Sequence, residues 1–156
     1  MSQARVIWID LETFAHATED PEKVLKAFSF LLPNSTEKLI TRDRVLGHYN
    51  NEIIIFKARI TNKKQIENFL RSLSLRIDEE DKRRLFNLFD KRLDDSGTLY
   101  LRFDKQEAFL GELRLSEGED VIRVRIKFSS HPLRKELIRE GCLSYGLMKN
   151  DRLSRP

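Results

Sequence analysis

The chain has 156 residues, of which 40% are hydrophobic and 35% are charged, with a net charge of +4. That length favours one domain around one core, and the apolar content excludes a disordered chain. The absence of any run of 18 apolar residues predicts no membrane span and no membrane partner, and the single cysteine, Cys142, excludes an intramolecular disulfide and predicts a cytoplasmic protein.

The first 33 residues predict a strand followed by a helix. Residues 5–15 alternate, with Ile7, Ile9 and Leu11 on one face of a half-buried strand and Trp8, Asp10, Glu12 and Phe14 on the other. A cap at Thr18 or Asp20, Pro21 in the first turn and apolar residues at helical spacing predict a helix that ends at Pro33.

The next segment predicts an antiparallel strand pair and then two helices. Residues 37–46 are a weaker strand candidate and residues 52–60 a stronger one, joined by a turn at residues 47–51. Helices are predicted to begin near residue 62 and at Asp78, either as two helices or as one bent helix.

The last third predicts further strands around a short helical turn. Residues 99–103 alternate, Asp104 caps the turn, and a strand resumes at residues 113–115. Residues 121–128 form the clearest strand, and a final helix is predicted from about Pro132, with Gly141 as its stop signal.

This order of elements predicts an α+β fold with two layers, in which helices pack on one face of a mainly antiparallel sheet. We expect a single domain over residues 1–144. Residues 145–156 are polar and show no period, so we expect a loosely ordered tail there.

Positive charge is concentrated toward the end of the chain. Residues 121–156 hold nine basic and three acidic side chains, whereas residues 1–36 hold three basic and five acidic ones. A basic end suits an anionic partner, but an ion-pair network in a heat-adapted protein explains the same composition. The charge pattern alone leaves both interpretations open.

The outward face of the predicted sheet is the candidate binding surface. Arg123, Arg125 and Lys127 alternate outward about 6–7 Å apart, which is close to the phosphate spacing of a nucleic-acid strand. If the strands share one sheet, the same face carries Lys57, Arg59, Arg102 and Tyr100. The alternative is an ordinary solvated face, with acids opposite these cations on neighbouring strands.

Further candidates lie in turns and on the first strand. Lys105 is placed to reach an anion as a point charge, and Gln106 offers both a hydrogen-bond donor and an acceptor. Exposed aromatic rings stack on bases, although such rings more often pack in the core or at its rim; the aromatic candidates are Tyr49, Tyr100, Trp8 and Phe14.

Motifs for catalysis and metal binding are missing from the sequence. It contains no phosphate-binding glycine loop, no nucleophile elbow, no zinc spacing and none of the common RNA-binding signatures. Its three histidines are scattered, so His16 and His48, both at predicted strand ends, are the one candidate catalytic pair. We therefore predict a protein without enzyme activity, metal or cofactor.

Three stretches together resemble an archaeal family of predicted exosome subunits and RNA-binding proteins. They are FAHATEDPEKVLKAFSFLLP at 14–33, LGHYNNEIIIFKARI at 46–60, and LYLRFDKQEAFLGELRL with DVIRVRIKF between 99 and 128. Asn50 stands where that family has a glycine after Gly-His-Tyr. The resemblance implies a fold like that of the 5S-RNA-binding ribosomal protein of the large subunit, RNA as the ligand and no catalytic residues. It directs attention to His16, Thr18, Glu19, His48, Tyr49, Lys105 and Gln106.

The sequence is compatible with two functions. The first is a non-catalytic RNA-binding accessory protein of RNA processing or of the archaeal exosome. The second is a protein–protein adaptor or homodimer whose open sheet face is covered by a partner, with Trp8 and Phe14 as anchors.

Overall fold

The computed structural model describes residues 3–150 and contains one five-stranded antiparallel sheet. The strands are β1 (Arg5–Ala15), β2 (Thr41–Leu46), β3 (Glu52–Ile60), β4 (Thr98–Asp104) and β5 (Val121–Ser129), in the spatial order β2-β3-β1-β5-β4. The helices are α1 (Pro21–Leu31), α2 (Lys63–Arg76), α3 (Glu79–Arg92), α4 (Lys105–Phe109) and α5 (Lys135–Tyr145).

Helices cover one face of the sheet and form the core with it, so the predicted α+β, single-domain, two-layer fold is confirmed. Six phenylalanines are fully buried between the layers: Phe28, Phe69 and Phe89 from helices, and Phe56, Phe103 and Phe128 from strands. The inward strand residues follow the period of two that the sequence shows. None of the helices in residues 3–150 is long and apolar enough to cross a membrane.

Helix starts agree with the capping residues in the sequence. The carboxylates of Asp20, Asp78 and Asp104 accept hydrogen bonds from backbone N–H groups in the first turns of α1, α3 and α4, and the Asn62 side chain does so for α2. The expected start and stop of the last helix are wrong. Its first residue is Lys135, and it runs through Gly141 to a left-handed Gly146.

Three strand predictions need correction. Residues 34–39 form 3₁₀ turns, so β2 begins only at Thr41. The strand expected at residues 113–115 is reduced to one bridge between Leu115 and Phe103. In β1 the register shifts between Val6 and Trp8, and this bulge leaves Ile7 exposed instead of on the inner face.

The chain beyond residue 144 is not loose where it is described. Leu147 and Met148 are buried in the core, and the Lys149 ammonium lies 2.6 Å from the Glu79 carboxylate. Leu147 and Met148 lie between polar neighbours in the sequence. The polar composition of this segment therefore gave no indication that these two side chains belong to the core. Residues 151–156, the rest of the expected tail, lie outside the described part of the chain.

Candidate nucleic-acid interface

The outer face of the sheet, which we call the open face, carries two rows of charged side chains. Strand register places them across β3, β1, β5 and β4 in that order. Row one is Arg59, Asp10, Arg125 and Tyr100; row two is Lys57, Glu12, Arg123 and Arg102. The rows hold five cations and two carboxylates, so separate strands do bring the predicted cations onto one surface.

Row one is closely paired around Asp10. The Arg125 guanidinium donates to Asp10 Oδ2 at 2.9 Å, and Arg59 Nε lies 3.1 Å from Asp10 Oδ1. The hydroxyl of Tyr100 donates to Asp94 at 2.9 Å, in the turn before β4. Asp10 thus neutralises one of the two arginines and holds both side chains in place.

Row two is paired more loosely. Lys57 Nζ lies 3.7 Å from Glu12 Oε2, beyond hydrogen-bond distance. Arg123 and Arg102 lie 3.8 Å from one oxygen of Glu119, which belongs to the turn before β5. Arg102 also donates to the backbone carbonyl of Gly118. Row two therefore has the larger excess of positive charge that lacks a close counter-ion.

Aromatic rings lie under several of these guanidinium groups. The guanidinium carbon of Arg59 is 4.6 Å from the centroid of Trp8, and that of Arg125 is 5.8 Å from it. Arg123 lies in the same way over Phe14, at 5.7 Å. Trp8 and Phe14 are half-buried. These contacts orient the cations outward, and they agree with the rim packing that composition favours for such rings.

A groove of about 930 Å³ lies over the two rows. Lys91 and Arg92, from the last turn of α3, line it together with the row side chains. Sequence analysis did not identify Lys91 and Arg92 as candidates. The two basic residues are visible at the end of the predicted helix, but nothing in the sequence places that helix beside the open face. Arg92 is neutralised by Glu117 at 2.6 Å.

Lys127 and Tyr100 lie where the sequence placed them, but each is engaged locally. Lys127 is opposite Trp8 and Thr98 in the ladder, and its ammonium donates to the Ser96 backbone carbonyl. Tyr100 is exposed at the end of row one. Both stay candidates for contact with a ligand at the β4 side of the open face.

The expectation that Lys105 reaches an external anion is wrong. Lys105 is 3% exposed, and its ammonium donates to the Phe14 carbonyl at 2.8 Å. It also lies 2.8 Å from Asp120 and 3.0 Å from Glu19. The cause is tertiary, because residues far apart in sequence supply the acceptors. Lys105 is a buried ionic connection between α4, the end of β1 and the start of β5.

The other residues singled out by resemblance lie around Lys105 or in the β2–β3 turn. Gln106 donates to Asp120 at 2.9 Å, and Glu19 accepts from the backbone N–H of His16. Asp20 is the cap. This cluster lies at the end of the sheet next to row two, since Lys105 donates to the carbonyl of Phe14, whose ring lies under Arg123.

His48 and Tyr49 shape the tight turn between β2 and β3. Tyr49 and Asn50 both have left-handed backbone, with φ of 61° and 60°. Asparagine tolerates this conformation better than most residues, which explains how Asn50 replaces the glycine expected there. Tyr49 is 95% exposed and lies in the turn before β3. Lys57 is five residues along β3 from its first residue, Glu52, which is about 17 Å at 3.3 Å per residue. The structure therefore does not bring the turn to the two rows.

The structure defines an antiparallel α+β protein whose open face carries two rows of side chains with five cations and two carboxylates. A family model described as RNA binding matches residues 8–128 of the chain. The matched segment runs from Trp8 in β1 to Phe128 in β5, and it includes both rows. The chain belongs to this RNA-binding family.

Named relatives agree with this assignment. The chain is 42% identical over 133 residues to RNA-binding protein PAB1135 of Pyrococcus abyssi, covering 83% of this chain and 86% of the relative. Protein AF2318 from Archaeglobus fulgidus superposes with a TM-score of 0.78 at 30% identity, covering 90% of this chain and 99% of that one. Mth689, a DUF54 protein from Methanothermobacter thermautotrophicus, gives 0.73 at 26% identity, with 90% and 97% covered.

These relatives support the archaeal RNA-binding family that the sequence resembles. Exosome membership and a fold like that of the 5S-RNA-binding ribosomal protein stay predictions.

Proposed function

We propose that this protein binds RNA through the open face, as a non-catalytic accessory protein of archaeal RNA processing. Membership of an RNA-binding family supports RNA as the ligand class. The observation that carries the choice of surface is the alignment of five cations from three strands, β3, β5 and β4, in two rows over one groove. Arginine in such a setting contacts phosphate oxygens with two N–H groups at once.

The contacts of the groove carboxylates favour binding over catalysis. Asp10 is engaged by two arginines, and Glu12 lies beside Lys57. These carboxylates face the cations that the proposal places against RNA, so their role in it is to position those side chains rather than to act as a general base. Cleavage of RNA by the purified protein that is lost in a Glu12→Gln variant would contradict this part of the proposal.

The setting of the protein is a finer part of the same proposal. We propose a cytoplasmic protein that acts beside the exosome or another RNA-processing assembly, because the resemblance in sequence points there. Its one cysteine, Cys142, is free and buried, and burial raises the pKa of its thiol to about 12. Such a thiol is unreactive, which fits a structural role.

A salt series of RNA binding tests the proposed function. A labelled 12-nucleotide single strand and a duplex of the same sequence are titrated by fluorescence anisotropy between about 50 and 300 mM salt. Since each phosphate contacted on a single strand contributes about −0.7 to the slope of log affinity against log salt, three or more contacts predict a slope of about −2 or steeper.

Paired variants locate the binding surface. Arg123→Gln with Arg125→Gln removes two cations from the rows, and we expect binding at least about tenfold weaker, with a slope smaller by about 1.4. The matched control, Lys63→Gln with Lys64→Gln, removes two exposed cations from α2 on the helical layer. Equal loss in the two double variants would place RNA elsewhere.

The same preparations test the adaptor alternative. A defined oligomer in light scattering, together with absence of salt-sensitive RNA binding, would favour a protein partner on the open face. The structure gives less support to Trp8 and Phe14 as anchors for such a partner, because both rings are half-buried and lie under guanidinium groups.

A further inference from the structure

Arg102 on β4 and Arg123 on β5 lie directly opposite each other in the strand ladder. Two like charges in this position destabilise a strand pair unless an anion lies between them. The carboxylates of β1 pair with other cations, Asp10 with Arg59 and Arg125 and Glu12 with Lys57. The opposed arginines therefore depend on a counter-ion from outside the central strand.

Glu119 provides that counter-ion weakly. Its Oε2 atom lies 3.8 Å from Nη2 of Arg102 and also 3.8 Å from Nη2 of Arg123. Both distances exceed the range of a charge-assisted hydrogen bond, and the Glu119 side chain is 91% exposed. Exposed ion pairs of this kind contribute little and are screened by salt, so another anion can displace the carboxylate at low cost.

The two guanidinium groups are held in place more firmly than their counter-ion. The side chain of Arg102 is 24% exposed and donates to the Gly118 carbonyl, and that of Arg123 is 37% exposed and lies over the Phe14 ring. Within residues 3–150, the buried Nε of Arg102 has no hydrogen-bond partner. The two guanidinium groups thus have little conformational freedom left to lose when a ligand binds.

We propose that Arg102 and Arg123 form a phosphate subsite of the open face, and that Glu119 occupies this subsite in the free protein. Glu119 is then an internal competitor, and a phosphate group displaces it by making direct hydrogen bonds to both guanidinium groups. The inference rests on the proposed function for its biological ligand, an RNA phosphodiester. The subsite itself recognises phosphate chemistry and is tested separately.

Inorganic phosphate is the probe for the subsite. Arginine side-chain Nε–H signals are followed by NMR during titration of the full chain, of Glu119→Gln and of a control, Glu140→Gln, which removes the same charge from an exposed position on α5. We expect the signals of Arg102 and Arg123 to respond. Glu119→Gln removes one negative charge about 4 Å from the two guanidinium groups. In water this predicts phosphate binding about two- to fivefold tighter than in the unsubstituted chain. For the control, Glu140→Gln, we expect no change in phosphate affinity.

The effect must also depend on the arginine pair. In a Glu119→Gln, Arg102→Gln double variant the gain in phosphate affinity should be lost. If Glu119→Gln and Glu140→Gln bind phosphate equally, or if the two arginine signals do not move, the subsite is refuted. A circular dichroism melt of each variant checks that the fold is retained, and Arg123→Gln, which removes the other guanidinium of the pair, provides a second variant should Arg102→Gln not fold.

An RNA titration separates this inference from the proposed function. If RNA binds and Glu119→Gln increases its affinity about two- to fivefold while Glu140→Gln does not, both are supported. RNA binding that is equal in the two variants refutes the subsite and leaves the proposed function standing. A response of the arginine pair to phosphate, without binding of RNA to any variant, supports the subsite and refutes the proposed function.

Discussion

Replacing Lys105 by methionine should destabilise the fold without weakening RNA binding. The change keeps the length and apolar stem of the side chain but removes an ammonium that is 3% exposed. That ammonium holds the Phe14 carbonyl at 2.8 Å, Asp120 at 2.8 Å and Glu19 at 3.0 Å. Methionine leaves all three acceptors without their shared donor.

The expected loss can be worked out from these contacts. A hydrogen bond to a charged group contributes about 1.5–3 kcal/mol, but three bonds to one donor are not additive, and both carboxylates keep partial access to water. We expect about 3 kcal/mol, at the lower end of the range for breaking a buried ion pair. For a chain of this size that corresponds to a melting temperature lower by about 6–12 °C.

Dependence on pH makes the prediction more specific. Burial by itself raises the pKa of Asp120, but hydrogen bonds from Lys105 and Gln106, with the attraction of Lys105 and His16, outweigh it and hold that pKa below its ordinary value. A carboxyl group with a lowered pKa in the folded state contributes stability above its unfolded pKa, and this contribution is lost as pH falls through the folded value. The stability difference between the wild type and Lys105→Met should therefore narrow below about pH 4.

Urea unfolding at pH 7 and at pH 3 measures this difference. The control is Lys149→Met, which removes an exposed ion pair with Glu79 and should destabilise the fold much less than Lys105→Met. A loss for Lys105→Met no larger than that of the control, or RNA affinity that falls at conditions where the variant is folded, would refute the structural role of Lys105.

Two further variants test the turn before β4 and the pairing in row one. Burial raises the pKa of Asp94, but hydrogen bonds from Thr98, Ser96 and Tyr100 bring it down to about 2. Asp94→Asn should therefore lower the free energy of unfolding by about 1 kcal/mol at pH 7, after discounting for solvent access. Thermal melts should show that this loss of stability fades between pH 4 and pH 2. Asp10→Asn exposes the one arginine charge that Asp10 neutralises, so the salt slope of RNA binding should steepen by about 0.7, and an unchanged slope would show that Asp10 does not restrain the two arginines.

Local pattern was enough to predict the faces of the strands. Strict alternation in β5 placed Arg123, Arg125 and Lys127 outward, because a period of two needs no knowledge of the neighbours. The same rule failed for Ile7, since a bulge adds one residue to β1 and reverses the faces on its far side.

The sequence alone did not predict which distant strands pair in the sheet. Asp10 and Glu12 are visible on the polar face of β1, but only the strand order puts β1 between the basic strands β3 and β5. Both open interpretations of the charge therefore contribute: the cations share one surface, and carboxylates neutralise part of it.

The burial of Lys105 also depends on contacts between distant parts of the chain, which the sequence alone does not predict. Within its own segment it is a charged residue after a helix cap, which is usually exposed. Its acceptors come from Phe14 and Glu19, 91 and 86 residues away in the chain, so its burial is a tertiary property. Resemblance in sequence marked this residue as important but could not distinguish a structural role from a binding role.

Fluorescence of Trp8 is the most direct test of the open face as the RNA surface. Trp8 is the single tryptophan of the chain and lies beside row one, next to Arg59 and Arg125. Titration with single-stranded RNA at low salt should change its emission saturably, at the same RNA concentrations that raise the anisotropy of labelled RNA, and added salt should reverse both signals. Saturable RNA binding by anisotropy with unchanged Trp8 emission would contradict the account.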